Sequence, residues 1–346
     1  MSKALAIKYR PQNFSQLTEQ SAVVTILTNQ IETNTIKHGY LFAGGAGTGK
    51  TTSARIFANM INKGAGTPIE LDAASNNSVE DIRRLTEDAQ TQSIDSEYKV
   101  FVIDECHSLS NQAWQAMLKT LEEPPAKAIF IFCTTNPEKI PQTILSRVQR
   151  YNFQRISQEG IVNRLVTILH NEYPSNIPNT LSITCDRNAL EYIAKIADGG
   201  MRDAITLMDK CLSFSSDLTV ENVIKALGVT DYNTMFDLNN AFFENDKTKL
   251  IKIVSDVYSS GMDLKLFIKT YFEFLLDLNV YCLTKDLSIT KIPEIWVDEM
   301  KSYGNHEWSV SNNLLTYITD LQSSIKWEQN PKAVIIAKFI LFNKEV

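Results

Sequence analysis

Two short stretches carry residue types whose spacing can do chemistry. "GGAGTGKT", Gly44 to Thr51, fits the pattern G-x-x-x-x-G-K-[ST]. Glycines let successive backbone N–H groups turn inward around a phosphate, and a following helix adds the positive end of its dipole. In that frame Lys50 reaches the β- and γ-phosphates and the Thr51 hydroxyl holds Mg2+. "VFVIDECHSLS", Val100 to Ser110, runs four apolar residues into Asp-Glu-Cys-His. Asp104, at the end of a buried strand, can hold Mg2+ through its water shell, and Glu105 can polarise an attacking water as a general base. The plainer alternatives are a glycine-rich structural turn and two solvated carboxylates. Both stretches in one chain favour phosphate chemistry, with Glu105 pointing to hydrolysis rather than binding alone.

Three further positions could complete such a site. A polar side chain of Thr134-Thr135-Asn136-Pro137, after the next apolar run, would lie between the two phosphate elements and could orient the water; polar residues at a strand end are the plain alternative. Arg147 follows the short apolar turn "ILS" and can serve a neighbouring subunit's phosphates; an ordinary surface ion pair is the alternative. Arg202, in "GGMRDA", falls in the first turn of a helix, where a cation opposes the macrodipole at a cost of about 0.3–1 kcal/mol. Asp203 beside it could neutralise the charge. Alternatively Arg202 reaches a γ-phosphate from a second domain, so that the nucleotide sets the angle between domains.

These residues need a frame. "GYLFAGG", "PIELDAAS", "KVFVIDE" and "KAIFIFCTT" read as strands, alternating with helical "KTTSARIFANMIN", "SVEDIRRLTEDAQ" and "NQAWQAMLKTLEE". That alternation predicts an α/β domain with a parallel sheet covered on both faces. Ser78 with Asp81 reads as a capping box, Ser110 as an N-cap, and Pro124 stops its helix at Glu123. From about residue 157 strand signals vanish. "SQEGIVNRLVTILHNEY", "DRNALEYIAKIADGG", "MRDAITLMDKCLSF" and "TVENVIKALG" predict a small helical domain, and an aromatic-rich helical region follows. The expected division is 1–156, 157–229 and 230–346.

Bulk properties exclude several classes. A length of 346 residues with 44% apolar and 21% charged residues fits two or three globular domains. A net charge of −6 leaves no broad basic field, so any DNA contact must use local groups. The five cysteines are far apart, which argues against a disulfide framework or a zinc site. The longest apolar runs are half a membrane span, so no membrane partner and a cytoplasmic setting are expected. The Asp-Glu-Cys-His letters are close to a helicase box, yet nothing downstream offers a second parallel sheet or the motifs of a second helicase lobe.

In order along the chain, "KYRPQNFSQLTEQ", "HGYLFAGGAGTGKTT", "ELDAASNNSVEDIR", "VFVIDECHSLS", "MLKTLEEPP", "TTNPEKIPQTILSR" and "GGMRDAITLMDK" closely resemble the gamma/tau subunits of bacterial DNA polymerase III, AAA+ motors of the sliding-clamp loader. The resemblance is strong to about residue 230. Beyond it, "NPKAVIIAKFI" looks like the end of the family's collar domain. It implies an AAA+ P-loop domain, a helical lid and a C-terminal helical collar that joins subunits. It implies ATP and Mg2+, with Gly44, Gly45, Ala46, Gly47, Thr48, Gly49, Lys50, Thr51 and Thr52 around the triphosphate. Asp104 and Glu105 become Walker B, Thr135 sensor 1, Arg202 sensor 2, and Arg147 the arginine acting in trans. Tyr9, Arg10 and Pro11 match the segment beside adenine and ribose. The implied partners are the other loader subunits in a five-membered spiral with room for several copies of this chain, the ring-shaped clamp, and primer–template DNA.

The chain departs from that pattern in places. The usual four-cysteine module is replaced by "INKGAGTP", so no zinc is expected. Val148 follows Arg147 where the family has cysteine. Ser75, Asn76, Asn77 and Ser78 stand where relatives often carry basic residues, so DNA contact there would rest on amide and hydroxyl donors and a helix N-terminus. No long tail follows the collar, which would suit a phage or a reduced genome and hence either a bacterial or a host cytoplasm. The competing functions are a non-hydrolysing structural subunit of the same loader, against which intact Lys50 and Glu105 argue, and another AAA+ DNA-remodelling ATPase.

Overall fold

Strands buried on both faces must be apolar almost throughout, and three such runs lie side by side in the computed structural model, which describes residues 3–173, 184–227, 232–287, 289–290, 292, 296–303 and 308–342. Strands β1 (Gly39–Gly44), β2 (Ile69–Asp72), β3 (Lys99–Asp104), β4 (Ala128–Thr134) and β5 (Gln149–Phe153) form one sheet in the order β2-β3-β4-β1-β5. Every pairing is parallel; Tyr40 faces Ile131 on one side and Gln149 on the other. This order puts the end of β4 between the ends of β1 and β3, where the glycine-rich loop begins and the Asp104–Glu105 pair stands.

The first half of the chain supplies helices α1 (Leu5–Lys8), α2 (Ser21–Glu32), α3 (Lys50–Ile61), α4 (Val79–Ala89), α5 (Asn111–Glu122), α6 (Gln142–Leu145) and α7 (Gln158–Glu172). Alternation along the strands sorts side chains onto two faces. Leu41, Phe101, Ile103, Phe130 and Phe132 pack with Ile82 and Leu85 of α4 and Trp114 and Met117 of α5. Tyr40, Phe42, Val100, Val102 and Ile131 pack with Leu27 of α2 and Phe57 of α3. Local chemistry sets the helix ends. Ser78 and Asp81 form the expected capping box, Ser110 Oγ accepts from Ala113 N–H at 3.2 Å, and α5 ends with Glu123 as its C-cap before Pro124.

Strand β5 was not expected. "QRYNF" buries only Tyr151 and Phe153, while Gln149, Arg150 and Asn152 stay exposed, as befits an edge strand. Such a half-buried stretch lacks the continuous apolar run that marks β1, β3 and β4.

By compactness the chain forms two units, Met1–Ser182 with Ile193–Asp209, and Ile183–Tyr192 with Lys210–Val346. Helices α8 (Arg187–Ile196), α9 (Met201–Phe214) and α10 (Val220–Leu227) correspond to the expected periodic stretches. The absence of strands beyond 157 needs correction: β6 (Thr184–Cys185) pairs in parallel with β7 (Asp217–Leu218). Two residues per strand leave no periodicity to read. The expected boundary at 229/230 lies outside the described residues.

The second unit continues as α11 (Tyr232–Phe243), α12 (Lys247–Ser259), α13 (Leu264–Thr284), α14 (Val297–Tyr303), α15 (Trp308–Ile325) and α16 (Pro331–Leu341). Its core joins Phe242 of α11, Phe267, Tyr271 and Leu275 of α13, Leu314, Ile318 and Leu321 of α15, and Phe339 of α16. Phe242 meets Phe339 edge-on, with ring centroids 4.9 Å apart. Among the described residues no helix is long and apolar enough to cross a membrane.

Candidate nucleotide site

The loop after β1 and the start of α3 wrap one side of a cavity of about 270 Å³. Ala46 to Thr52 line it, together with Tyr9, Arg10 and Pro11 before the sheet, Asp104 and Glu105 at the end of β3, and Arg202 in the first turn of α9. All belong to the same compact unit, because residues 193–209 group with the sheet.

Close backbone approach explains part of this convergence. Gly47 has φ +68°, and a Cβ built there would sit 3.0 Å from Gly200 Cα. Met201 N–H donates to the Gly47 carbonyl at 3.1 Å. A Cβ on Gly200 would meet Asp203 Oδ2 at 2.9 Å and the Ala46 carbonyl at 3.2 Å. Only a pair of glycines lets the start of α9 rest on the loop, and Arg202 enters the cavity as a consequence.

Lys50 is buried, and its ammonium donates to the carbonyls of Gly44 and Gly45 at 3.0 and 2.7 Å. Burial pulls its pKa below the usual lysine value, against the opposing pull of Glu105, Cys133 and Asp104. Thr51 Oγ1 donates to Asp104 Oδ2 at 2.8 Å, so a hydroxyl and a carboxylate oxygen converge on one spot. Hard oxygen donors of this kind suit Mg2+, which takes one or two protein ligands and completes its shell with phosphates and water. Among the described residues no group of three His, Cys, Asp or Glu is arranged to hold a metal.

Glu105 stands in the left-handed region, φ 45° and ψ 42°, uncommon for a non-glycine residue. Its Oε2 accepts from Thr135 Oγ1 at 3.0 Å and from Thr135 N–H at 3.4 Å. Thr135 therefore reaches the site through Glu105, although it does not line the cavity. Around Arg10, burial and then the guanidinium groups of Arg55 and Arg202 hold the pKa below its ordinary value. Among the described residues no carboxylate lies within ion-pair distance of Arg202, Asp203 included, so the neutralising pair that the sequence offered does not form.

Two groups of expected site residues lie elsewhere. Arg147 is outside the cavity: Nη2 donates to Glu122 Oε1 at 2.6 Å and Nη1 to the Thr143 carbonyl at 2.6 Å. Ser75, Asn76, Asn77 and Ser78 also lie apart from it. Asp72 organises that loop, accepting from Ser75 Oγ at 3.3 Å and, through its carbonyl, from Asn76 Nδ2 at 3.1 Å. Ser78 is engaged with Asp81. A carboxylate and internally used donors leave that loop less to offer a phosphate than its residue types suggested.

Sequence reading missed three contributors. Arg164 of α7 lines the cavity and donates to the Tyr9 carbonyl at 3.1 Å. Burial first, and a hydrogen bond with Glu172 second, push the Tyr9 phenol up to about 12. Gln20 ties the phosphate loop to the strand beside it, with Nε2 2.7 Å from the Gln154 carbonyl and 3.4 Å from that of Thr48. His107 Nδ1 lies 3.2 Å from Glu105 Oε2. Only His107 left a signal, as part of the Asp-Glu-Cys-His block; the others depend on contacts more than 20 residues apart.

A similar fold occurs in the Thermotoga maritima RuvB Holliday junction branch migration motor, with a TM-score of 0.51 at 18% identity over 74% of this chain and 86% of that one. Sheet order, phosphate loop and carboxylate pair thus define a P-loop protein of the AAA+ class, a fold that implies a bound nucleotide. Three family descriptions match successive stretches: DNA polymerase III, delta subunit, over 67–157; DNA polymerase III clamp loader subunit, ATPase lid domain, over 161–217; and DNA polymerase III subunits gamma and tau domain III, over 218–300. DNA polymerase III subunit gamma of Buchnera aphidicola subsp. Schizaphis graminum is 31% identical over 84% of this chain and 82% of its own length. The chain belongs to the DNA polymerase III gamma/tau subunit family. DNA polymerase III subunit tau of Bacillus subtilis is 36% identical over 81% of this chain, which spans about half, 52%, of that relative.

Proposed function

We propose that the chain is the ATP-hydrolysing motor subunit of a DNA replication clamp loader, which opens a ring-shaped sliding clamp and places it on primer–template DNA. The observation that carries this reading is the convergence of Lys50, Thr51, Asp104, Glu105 and Arg202 on one cavity beside the phosphate loop. Family membership adds the loader context. Its partners are the other loader subunits in a five-membered spiral, including further copies of this chain, with the clamp and DNA. The setting is the cytoplasm of a bacterium or of a phage host.

Each residue has a chemical role in this reading. Backbone N–H groups from Gly44 to Thr52 cradle the triphosphate, and Lys50 exchanges its two loop carbonyls for phosphate oxygens. Tyr9, Arg10 and Pro11 hold the base and ribose end. Thr51 and Asp104 hold Mg2+, which neutralises charge building on the phosphates. Glu105 takes the proton from the attacking water, with Thr135 fixing its carboxylate. Arg202 binds the γ-phosphate from its own chain. Arg147, on an exposed turn, acts on the neighbour's ATP. The site needs no zinc. Residues 1–156, 157–229 and 230–346 form ATPase, lid and collar. Ser75 to Ser78 offer a minor DNA contact.

The test is ATP hydrolysis stimulated by clamp and primed DNA, with the wild-type chain and with Glu105→Gln. Retained ATP binding with a rate lowered by about 10²–10⁴-fold is expected when a general base is removed. Equal, negligible rates in both proteins would instead indicate a structural subunit. Native mass spectrometry of the complex from its source would name the partners and their stoichiometry.

A further inference from the structure

His107 sits in the 3-10 turn Cys106–Ser108 directly after the carboxylate pair, with about four-fifths of its side chain buried. Its Nδ1 lies 3.2 Å from Glu105 Oε2 and 3.2 Å from Thr134 Oγ1. With its hydrogen on Nδ1, the ring stands as a donor between Thr134 Oγ1, its hydrogen-bond partner, and Glu105 Oε2. Thr134 is fully buried at the end of β4, and its Oγ1 already accepts from Asn136 N–H at 2.9 Å, which fixes it as a rigid second anchor for the ring.

Two hydrogen bonds from Thr135, Oγ1 at 3.0 Å and N–H at 3.4 Å, therefore reach Oε2, and His107 Nδ1 stands 3.2 Å from the same oxygen. Among the described residues no group donates to Oε1. An asymmetric carboxylate of this kind has one oxygen whose lone pairs are taken and one left for a proton. Thr135 approaches from β4 and His107 from the turn after β3, and together they restrain the carboxylate from two elements.

We propose that His107 is a positioning residue for hydrolysis, holding Oε2 of Glu105 so that Oε1 faces the attacking water. The inference rests on the reading of Glu105 as general base. His107 does not line the cavity, whereas Glu105 does, so it acts through Glu105. Misplacing a reacting group by about 1 Å costs on the order of a hundredfold in rate, so loss of one of two restraints should cost between about ten- and a hundredfold.

The experiment uses the full chain in the complex with which it copurifies, measuring steady-state hydrolysis, ATP affinity with a fluorescent analogue, and the thermal midpoint. His107→Ala is expected to lower kcat by about ten- to a hundredfold with KM and affinity within about twofold of wild type. His107→Asn keeps an amide donor near the Nδ1 position and should recover most of the rate. Three outcomes overturn the inference: an unchanged kcat in His107→Ala, a loss that follows ATP affinity or the thermal midpoint, or an asparagine variant no better than alanine. Glu105→Gln, run in parallel, separates the two levels. If it hydrolyses ATP at the wild-type rate, the general-base reading fails; if it is inactive while His107→Ala is normal, only the positioning role fails.

Discussion

The sheet-bearing unit and the C-terminal helical region use burial differently. Around the sheet, burial extends to the Lys50 ammonium and partly to Thr51, Thr135, Asp104 and Glu105, each held by a partner from another element. The helices from α11 to α16 bury mainly rings and aliphatic chains, and Asn239 and Asn279 are among the few polar side chains within them. Buried polar groups are costly unless hydrogen-bonded, so a fold keeps them where they serve a geometry. The first region is arranged around a ligand and the second around itself. Mutations should therefore divide into those that change chemistry at constant stability and those that change stability at constant chemistry.

The sharpest break of this contrast comes from Arg147→Ala. In the assembled complex hydrolysis should fall by about 10³-fold, on the order of 4 kcal/mol of barrier, while ATP binding by the mutated chain itself stays normal. Loss of binding in the isolated variant would sink the trans role. In the opposite region Phe267→Ala removes a fully buried ring and should cost about 3–5 kcal/mol in denaturant unfolding. Nucleotide affinity per folded molecule should not change; a parallel loss would show that the regions are not separable.

Gly200→Ala tests the bridge between loop and α9. The added methyl meets Asp203 and the Ala46 carbonyl, so about 1–3 kcal/mol of strain should fall on the site and weaken ATP affinity by about tenfold. Titration of a fluorescent nucleotide reads it, and wild-type affinity would mean the contact is slack. The smallest effect belongs to Ser78→Ala, which removes the cap of α4 and should cost about 1 kcal/mol with hydrolysis unaffected. A larger loss of DNA-stimulated rate than of stability would instead give that loop a direct role.

Much of the fold was legible because its causes are local. Three strands, β1, β3 and β4, announced themselves as near-continuous apolar runs, and helices α4 and α5 through their Ser caps. The edge strand β5 and the short β6–β7 pair were not, since half-burial and two-residue length leave little pattern. Within the site, the phosphate loop and carboxylate pair carry their spacing in sequence. Arg164 and Gln20 do not, because each bonds a backbone carbonyl more than 100 residues away.

The sequence by itself determined the class of chemistry: glycines, lysine and threonine at phosphate-loop spacing, then an acidic pair at the end of an apolar run. Backbone conformation and side-chain type act over a few residues, so such motifs need no tertiary information. Only the tertiary structure decided which oxygen of Glu105 is held, that Arg202 enters the cavity across two facing glycines, and that Arg147 lies outside it against Glu122. Those outcomes depend on strand order and close packing between distant segments, and no local spacing encodes them.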